Sequence, residues 1–329
     1  MSPATLRGHR VSVRPAGRVV LPAAIFAVFA AVPVVAVAVA QGYVIDLAIR
    51  TMIFAIAALA LDLLVGYAGL VSFGHAAFIG IGAYAVGILA AHHIGDALIA
   101  LPAALGGCVL FAAATGVVCL RTKGAYFIMM TLAFGQMAFF IASSLAPYGG
   151  DNGLSIAARN TVAGFAVLRS DRVFYYVVLG CLAATFVTCR SLVGSRFGRV
   201  LRGARQNPTR MATLGFNVER FQLVAYVISG AFAGLSGFLL ANSTEFVSPA
   251  YMSWQRSGEL IVMVILGGLG TLYGAMIGTA IFLFAEEWLS GITENWKVIF
   301  GPFLVLLVVF ARGGIIGLVS RLAPGANRG

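Results

Sequence analysis

SRFGRVLRGARQNPTRMATLGFNVERFQLVAYVISGAFAGLSGFLLA, residues 195–241, divides sharply into two halves. The first carries six arginines (Arg196, Arg199, Arg202, Arg205, Arg210 and Arg220) against one acid, Glu219; from residue 221 onward there is no charge at all. An uncharged run of about 20 residues is what a helix needs to cross a hydrocarbon core roughly 30 Å thick. The passage therefore reads as a water-to-membrane boundary, with the arginines on the water side.

The rest of the chain agrees. With 329 residues, 60% hydrophobic and only 10% charged, it has too little polar surface to cover a soluble globule of its size. The net charge of +11 would suit nucleic acid, but the arginines sit between long apolar runs and not among exposed aromatics, so no nucleic-acid partner is expected. Apolar runs fall near 19–40, 43–65, 70–91, 97–120, 124–145, 173–190, 221–241, 257–290 and 297–312. The run from 257 is too long for one span, and GGLGTLYG at 267–274 offers a break. The expected fold is an all-α polytopic membrane protein of about ten transmembrane segments. Residues 1–18 form an N-terminal tail, 19–318 the membrane domain and 319–329 a C-terminal tail. The first apolar run exceeds the roughly 7–15 residues usual in a cleaved signal peptide, so it is read as a retained helix.

Lys and Arg collect on cytoplasmic loops. With the N-terminus inside, sixteen of the 22 basic residues fall on the cytoplasmic side, including the opening passage, and most acids fall outside. Both termini are then cytoplasmic, with anionic lipid headgroups drawn to the arginines.

Chemistry is conspicuous by omission. The four cysteines, Cys108, Cys119, Cys181 and Cys189, lie within apolar segments and form no C-x-x-C pair, so small buried side chains are expected. There is no H-E-x-x-H or G-x-S-x-G, so neither an enzyme nor a metal site is expected. The only lysines, Lys123 and Lys297, are followed by Gly124 and Val298, so the chain carries no P-loop and binds no ATP by that motif. Ion-driven carriers need ionisable groups deep in the bilayer. Asp62, Glu259, Glu286 and Glu287 all lie near segment ends, where snorkelling or packing accounts for them. Either the chain is a passive channel, or the energy for transport comes from a partner.

Glycine carries the remaining information. Gly230 and Gly234, and again Gly270, Gly274 and Gly278, stand four apart, a spacing that lets helix backbones approach closely in lipid. VGYAGLVSFGHAAFIGIGAYAVG, residues 65–87, sets Ser72 and His75 among glycines and reads as a broken or re-entrant element. GGLGTLYG is its candidate counterpart in an inverted repeat. In the opening passage, Arg196, Arg199, Arg202 and Arg205 recur every third residue and spread over about half of a helix. Pro208 interrupts that helix, and a turn through Leu214 and Gly215 leads into the next span. Lipid anchoring needs only the charge; a short helix followed by a turn suits docking to a cytosolic partner.

The opening passage resembles the coupling loop and following helix of the permease subunits of branched-chain amino-acid ABC importers, in particular the LivM-type subunit. GYAGLVSFGHAAFIGIGAYA, GAYFIMMTLAFGQM, GGDNGL and SGELIVMVILGGLGTLYGAMIG are similar to the same family, in the same order, over residues 43–318. The resemblance implies a transport subunit, not an enzyme, that pairs with a second permease subunit, two cytosolic ABC ATPases that use ATP and Mg, and an external solute-binding protein. It places the coupling loop at about 191–220, with Arg199, Arg202, Arg205, Leu214 and Gly215 as ATPase-coupling residues. Where the family commonly has acids after the arginine matching Arg205, this chain has Gln206, Asn207 and Pro208. Pathway candidates are Ser72, Gly74, His75, Thr131 and the backbone at Gly267, Gly268 and Gly270. Asp151, Asn152 and Gly153 are candidates for contact with the binding protein. Import of urea, short amides or other amino acids would share these motifs, and a stand-alone channel or secondary transporter would work without the ATPases.

Overall fold

In the computed structural model the described residues are 17–39, 42–292, 298, 300–302, 314 and 315. Helices dominate: α1 (Gly17–Val39), α2 (Gly42–Asp62), α3 (His75–Ala91), α4 (Ala97–Cys119), α5 (Ala125–Ser144), α6 (Asp171–Gly194), α7 (Arg196–Gln206), α8 (Pro208–Thr213), α9 (Val218–Thr244), α10 (Trp254–Gly267) and α11 (Leu272–Ser290). Among the described residues, six stretches are long and apolar enough to cross a membrane: α2 with its continuation to Ala68, α4, α5, α6, α9 and α11. The protein is thus a predominantly helical, multi-pass membrane protein. The expected segment at 297–312 and both tails lie mostly outside the described residues.

α2 is the central post. Its apolar residues are buried all round, Ile49, Met52, Ile56, Leu59 and Leu61 among them. A helix apolar on every side belongs in the middle of a bundle. α6, α9, α10 and α11 pack around it, while α3, α4 and α9 pack on one another. Tyr175 of α6 ties α1 to the bundle by donating to the Phe29 carbonyl at 2.6 Å.

Glycine decides where helices cross. A side chain at Gly237 of α9 would overlap the backbone of Ile79 in α3, and one at Gly82 of α3 would overlap the backbone of Gly234. Gly267, Gly274 and Gly278 give α10 and α11 the same intimacy. The four-residue glycine spacing therefore serves packing as expected, with one correction. Gly270 is not in a helix; with Gly268 it forms the break that ends α10, at φ 75° and 115°. No residue with a Cβ adopts the Gly268 backbone without strain.

A second difference concerns the run expected from residue 70. After Asp62 the helix widens into a π-turn, Leu63–Ala68, and Gly69 ends it in the left-handed conformation. Residues 69–74 are not helical, and α3 begins only at His75. Hydropathy sees an apolar run here; it does not see the left-handed glycine that stops the helix. α3, with 17 residues, and α10, with 14, are short for a span of about 20 residues. The two breaks expected from the glycine clusters are thus both present.

The segment between α5 and α6 folds over the end of the bundle remote from the arginines. Its two-residue strand β1 (Leu154–Ser155) pairs antiparallel with β2 (Phe246–Val247). Arg159 pins it: its guanidinium donates to the Asn242 carbonyl at 3.1 Å, pairs with Asp171 at 2.6 Å and lies over the Phe174 ring.

Candidate functional site

At the arginine-bearing end, α7 lies across the bundle as an amphipathic helix. Gly198, Val200, Leu201 and Ala204 are buried, and Arg196, Arg199 and Arg202 face outward. Phe197 stacks on Phe221 of α9, 5.7 Å between ring centroids, fixing α7 to the following span. The chain then does what Asn-Pro dictates. Asn207 accepts from the Arg210 N–H at 2.9 Å and Pro208 opens α8, its missing N–H costing nothing in a first turn. Pro208 thus ends one helix by starting another, where a turn was expected. Leu214 is 65% exposed, and Gly215 makes the turn at φ 86° with open space around it.

Arg205 differs from its neighbours. Its guanidinium donates to the carbonyl of Gly66 in the π-turn. That carbonyl belongs to the last turn of a helix, where partners are lacking and the helix dipole favours a cation. On the other side of Gly66, Asp62 Oδ1 accepts from the Gly270 N–H at 2.7 Å, and Tyr67 donates its hydroxyl to the Gly270 carbonyl at 2.8 Å. The sequence left Asp62 to snorkelling or packing. Snorkelling is corrected: the side chain is fully buried, and it clasps the break between α10 and α11. Two of the other acids are partly buried and paired, Glu259 with Arg256 at 2.8 Å and Glu286 with Arg50 at 3.4 Å. A groove of about 1200 Å³ opens beside this clasp, lined by Arg190, Arg199, Arg202 and Arg205 with the backbone at Gly66 and Gly270.

The pathway candidates separate into two places. Ser72, Gly74, His75 and Thr131 come together in a buried junction where α3 begins. Phe73 N–H donates to Thr131 Oγ1 at 3.2 Å, Ala76 N–H donates to Ser257 Oγ at 3.0 Å, and His75 Nε2 meets Ser229 Oγ at 2.8 Å. Ser229 also donates to the Ala60 carbonyl. One junction therefore joins α2, α3, α5, α9 and α10. Gly267, Gly268 and Gly270 lie apart from it, at the clasp. At the remote end, Asp151 and Asn152 are exposed, while Gly153 is held against Phe246 and Val247. A cavity of about 490 Å³ there is lined by Tyr43, Asp46, Arg50, Arg159, Asp171 and Glu245 among others.

Asp62, Tyr67, Ser229 and Arg159 were not singled out as site residues from the sequence. Each acts on a partner distant in the chain, so no local pattern marks it. Among the described residues no group of three or more His, Cys, Asp or Glu is arranged to hold a metal.

A multi-pass helical protein with two glycine breaks and an arginine-faced helix across one end has the build of a transport subunit. The chain belongs to the family described as "Branched-chain amino acid transport system / permease component", whose model matches residues 43–310. It is 28% identical over 315 residues to the high-affinity branched-chain amino acid transport system permease protein LivM of Escherichia coli K12, spanning 87% of this chain and 73% of that protein. The LivM of Salmonella typhimurium LT2 is 29% identical over 313 residues, with the same coverage. The E. coli K12 permease protein LivH is 31% identical over 125 residues, covering 37% of this chain and 40% of LivH. No solved structure matches the chain.

Proposed function

We propose that this chain is the LivM-type permease subunit of an ATP-driven importer of branched-chain amino acids. In this reading it shares the translocation pathway with a second, LivH-like subunit and is moved by two cytosolic ATPases that use ATP and Mg. An external binding protein delivers the substrate. The membrane domain covers 19–318, the arginine-bearing end is cytoplasmic, both tails are inside, and the bundle comprises about ten segments. The two breaks, at residues 69–74 and at Gly268 and Gly270, are the candidate counterparts of an inverted repeat.

The observation that carries the reading is α7. Its apolar residues are buried against the bundle, while Arg199 and Arg202 face outward beside an exposed Leu214 and the tight turn at Gly215. Such an element suits a cytosolic protein that must grip the membrane domain and move it. Arg205, bonded to Gly66, serves the inner side of that joint. Ser72, Gly74, His75 and Thr131, gathered where α3 begins, and the backbone at Gly267, Gly268 and Gly270 border the translocation pathway. Asp151 and Asn152, exposed at the opposite end, are the surface offered to the binding protein, with Gly153 setting their turn.

The test is reconstitution of the two permease subunits with their ATPases and binding protein in liposomes, measuring ATP-dependent uptake of labelled leucine, isoleucine and valine. Uptake that needs ATP hydrolysis, and that is lost when Arg199, Arg202 and Arg205 are replaced together by alanine, is expected. Uptake independent of the ATPases would sink the reading in favour of a stand-alone carrier. Uptake of urea or short amides with none of branched-chain amino acids would overturn the substrate.

A further inference from the structure

The Asp62 carboxylate is fully buried, yet it makes only half the contacts a charged carboxylate requires. Oδ1 takes the Gly270 N–H; Oδ2 has no hydrogen-bond partner among the described residues. A buried charged carboxylate with an unsatisfied oxygen is costly, and a guanidinium, which offers paired donors, would satisfy it. One is at hand. Arg205 is close enough for its charge to act on Asp62, and its Nη1 lies 3.8 Å from where a Cβ on Gly270 would sit. In this conformation, however, Arg205 donates to the Gly66 carbonyl. Guanidinium and carboxylate thus flank the same glycine, each holding one of two adjacent backbone segments.

We propose that Asp62 and Arg205 form a switched ion pair that couples α7 to the break between α10 and α11. In the conformation seen, Arg205 holds the π-turn through Gly66, and Asp62 with Tyr67 holds Gly270. When α7 is displaced, the guanidinium leaves the Gly66 carbonyl for Asp62 Oδ2. The chain Arg205–Asp62–Gly270 is then continuous, and α7, the end of α2 and the break move as one body. A short shift of α7 becomes a change at the hinge of α10 and α11, because the buried charge is compensated in only one of the two arrangements. Asp62 is a positioning residue in this scheme; it touches no substrate. The inference rests on the proposed transport function.

The test separates charge from scaffolding. Asp62→Asn keeps an oxygen for the Gly270 N–H and removes the charge. In the full reconstituted transporter, substrate moved per ATP hydrolysed is expected to fall about tenfold or more in this variant. Asn at wild-type coupling would overturn the proposal, since a purely structural acceptor is preserved. Should the variant complex not assemble, exposed Arg205 decides the matter. Lys and Gln at 205 both donate to the Gly66 carbonyl, but only Lys pairs with Asp62. Arg205→Lys is expected to transport within about threefold of wild type and Arg205→Gln to lose coupling about tenfold or more while still co-purifying with the ATPases; equal coupling in the two, or loss of the ATPases from Arg205→Gln, would overturn the switch. Failure of the wild-type complex to couple ATP to uptake would instead sink the proposed function and leave the ion pair to be judged by assembly alone, where a switched pair predicts that Arg205→Gln assembles as Arg205→Lys does and a static bridge predicts that it does not.

Discussion

Gly237→Ala is the most incisive perturbation of the helix packing, because one methyl group meets backbone and has nowhere to go. A Cβ built on Gly237 lies 2.7 Å from the carbonyl carbon of Ile79 and 2.9 Å from its Cα, where ordinary contact begins at 3.4 Å. Backbone cannot rotate aside as a side chain does, so α3 and α9 must part by on the order of 1 Å, enough to forfeit a quarter to a half of each contact along the seam. Overpacking of this kind costs about 1–3 kcal/mol. Alanine returns up to about 1 kcal/mol in helix propensity, so the net effect remains destabilising. Gly180→Ala, in α6, is the control: nothing lies within 4 Å of its Cβ, and only the propensity gain of roughly 0.5–1 kcal/mol applies. Unfolding of the purified protein in mixed micelles, followed by tryptophan fluorescence, is expected to place Gly237→Ala below wild type and Gly180→Ala at or above it. Equal midpoints for the two variants would refute the claim that backbone contact at Gly237 sets the α3–α9 distance.

Replacing Arg159 by methionine should cost about 1–3 kcal/mol, because it strips donors from the Asn242 and Leu168 carbonyls and from Asp171 at one stroke. Amide exchange around residues 154–162 is expected to quicken, and protection equal to wild type would show that Arg159 is not the pin. Ser229→Ala leaves His75 Nε2 and the Ala60 carbonyl without their shared partner, for a similar loss of about 1–3 kcal/mol. An unchanged unfolding midpoint would show that water replaces the hydroxyl and that the junction is open.

What was legible in the sequence was what local chemistry dictates. GGLGTLYG announced the division of 257–290, because no helix runs through the left-handed glycines 268 and 270. Pro208 announced the end of α7, and the arginine periodicity fitted the helix that the buried Val200, Leu201 and Ala204 complete. The helix start at His75 was not legible, since residues 69–74 are apolar enough to pass for its first turns. The purposes of Asp62 and Arg205 were hidden for a different reason. Asp62 meets Gly270 across 208 residues, and Arg205 meets Gly66 across 139. A sequence shows which groups need partners; only the fold shows which partners they find.

That distinction bears on how the six arginines divide their labour. Charge near a membrane surface orients the chain whichever residue carries it, so orientation does not explain the placement of any one arginine. Position on α7 does. Arg199 and Arg202 are exposed and line the groove, whereas Arg205 reaches inward and donates to the π-turn. The contact made by Arg205 falls where the backbone departs from the regular α-helix, at a π-turn on one side and a glycine break on the other. Irregular backbone in a membrane bundle is tolerated where side chains supply the partners that the α-helical ladder does not. Asp62, Tyr67 and Arg205 are those side chains, so the arginine-bearing helix is attached to the part of the molecule most able to respond.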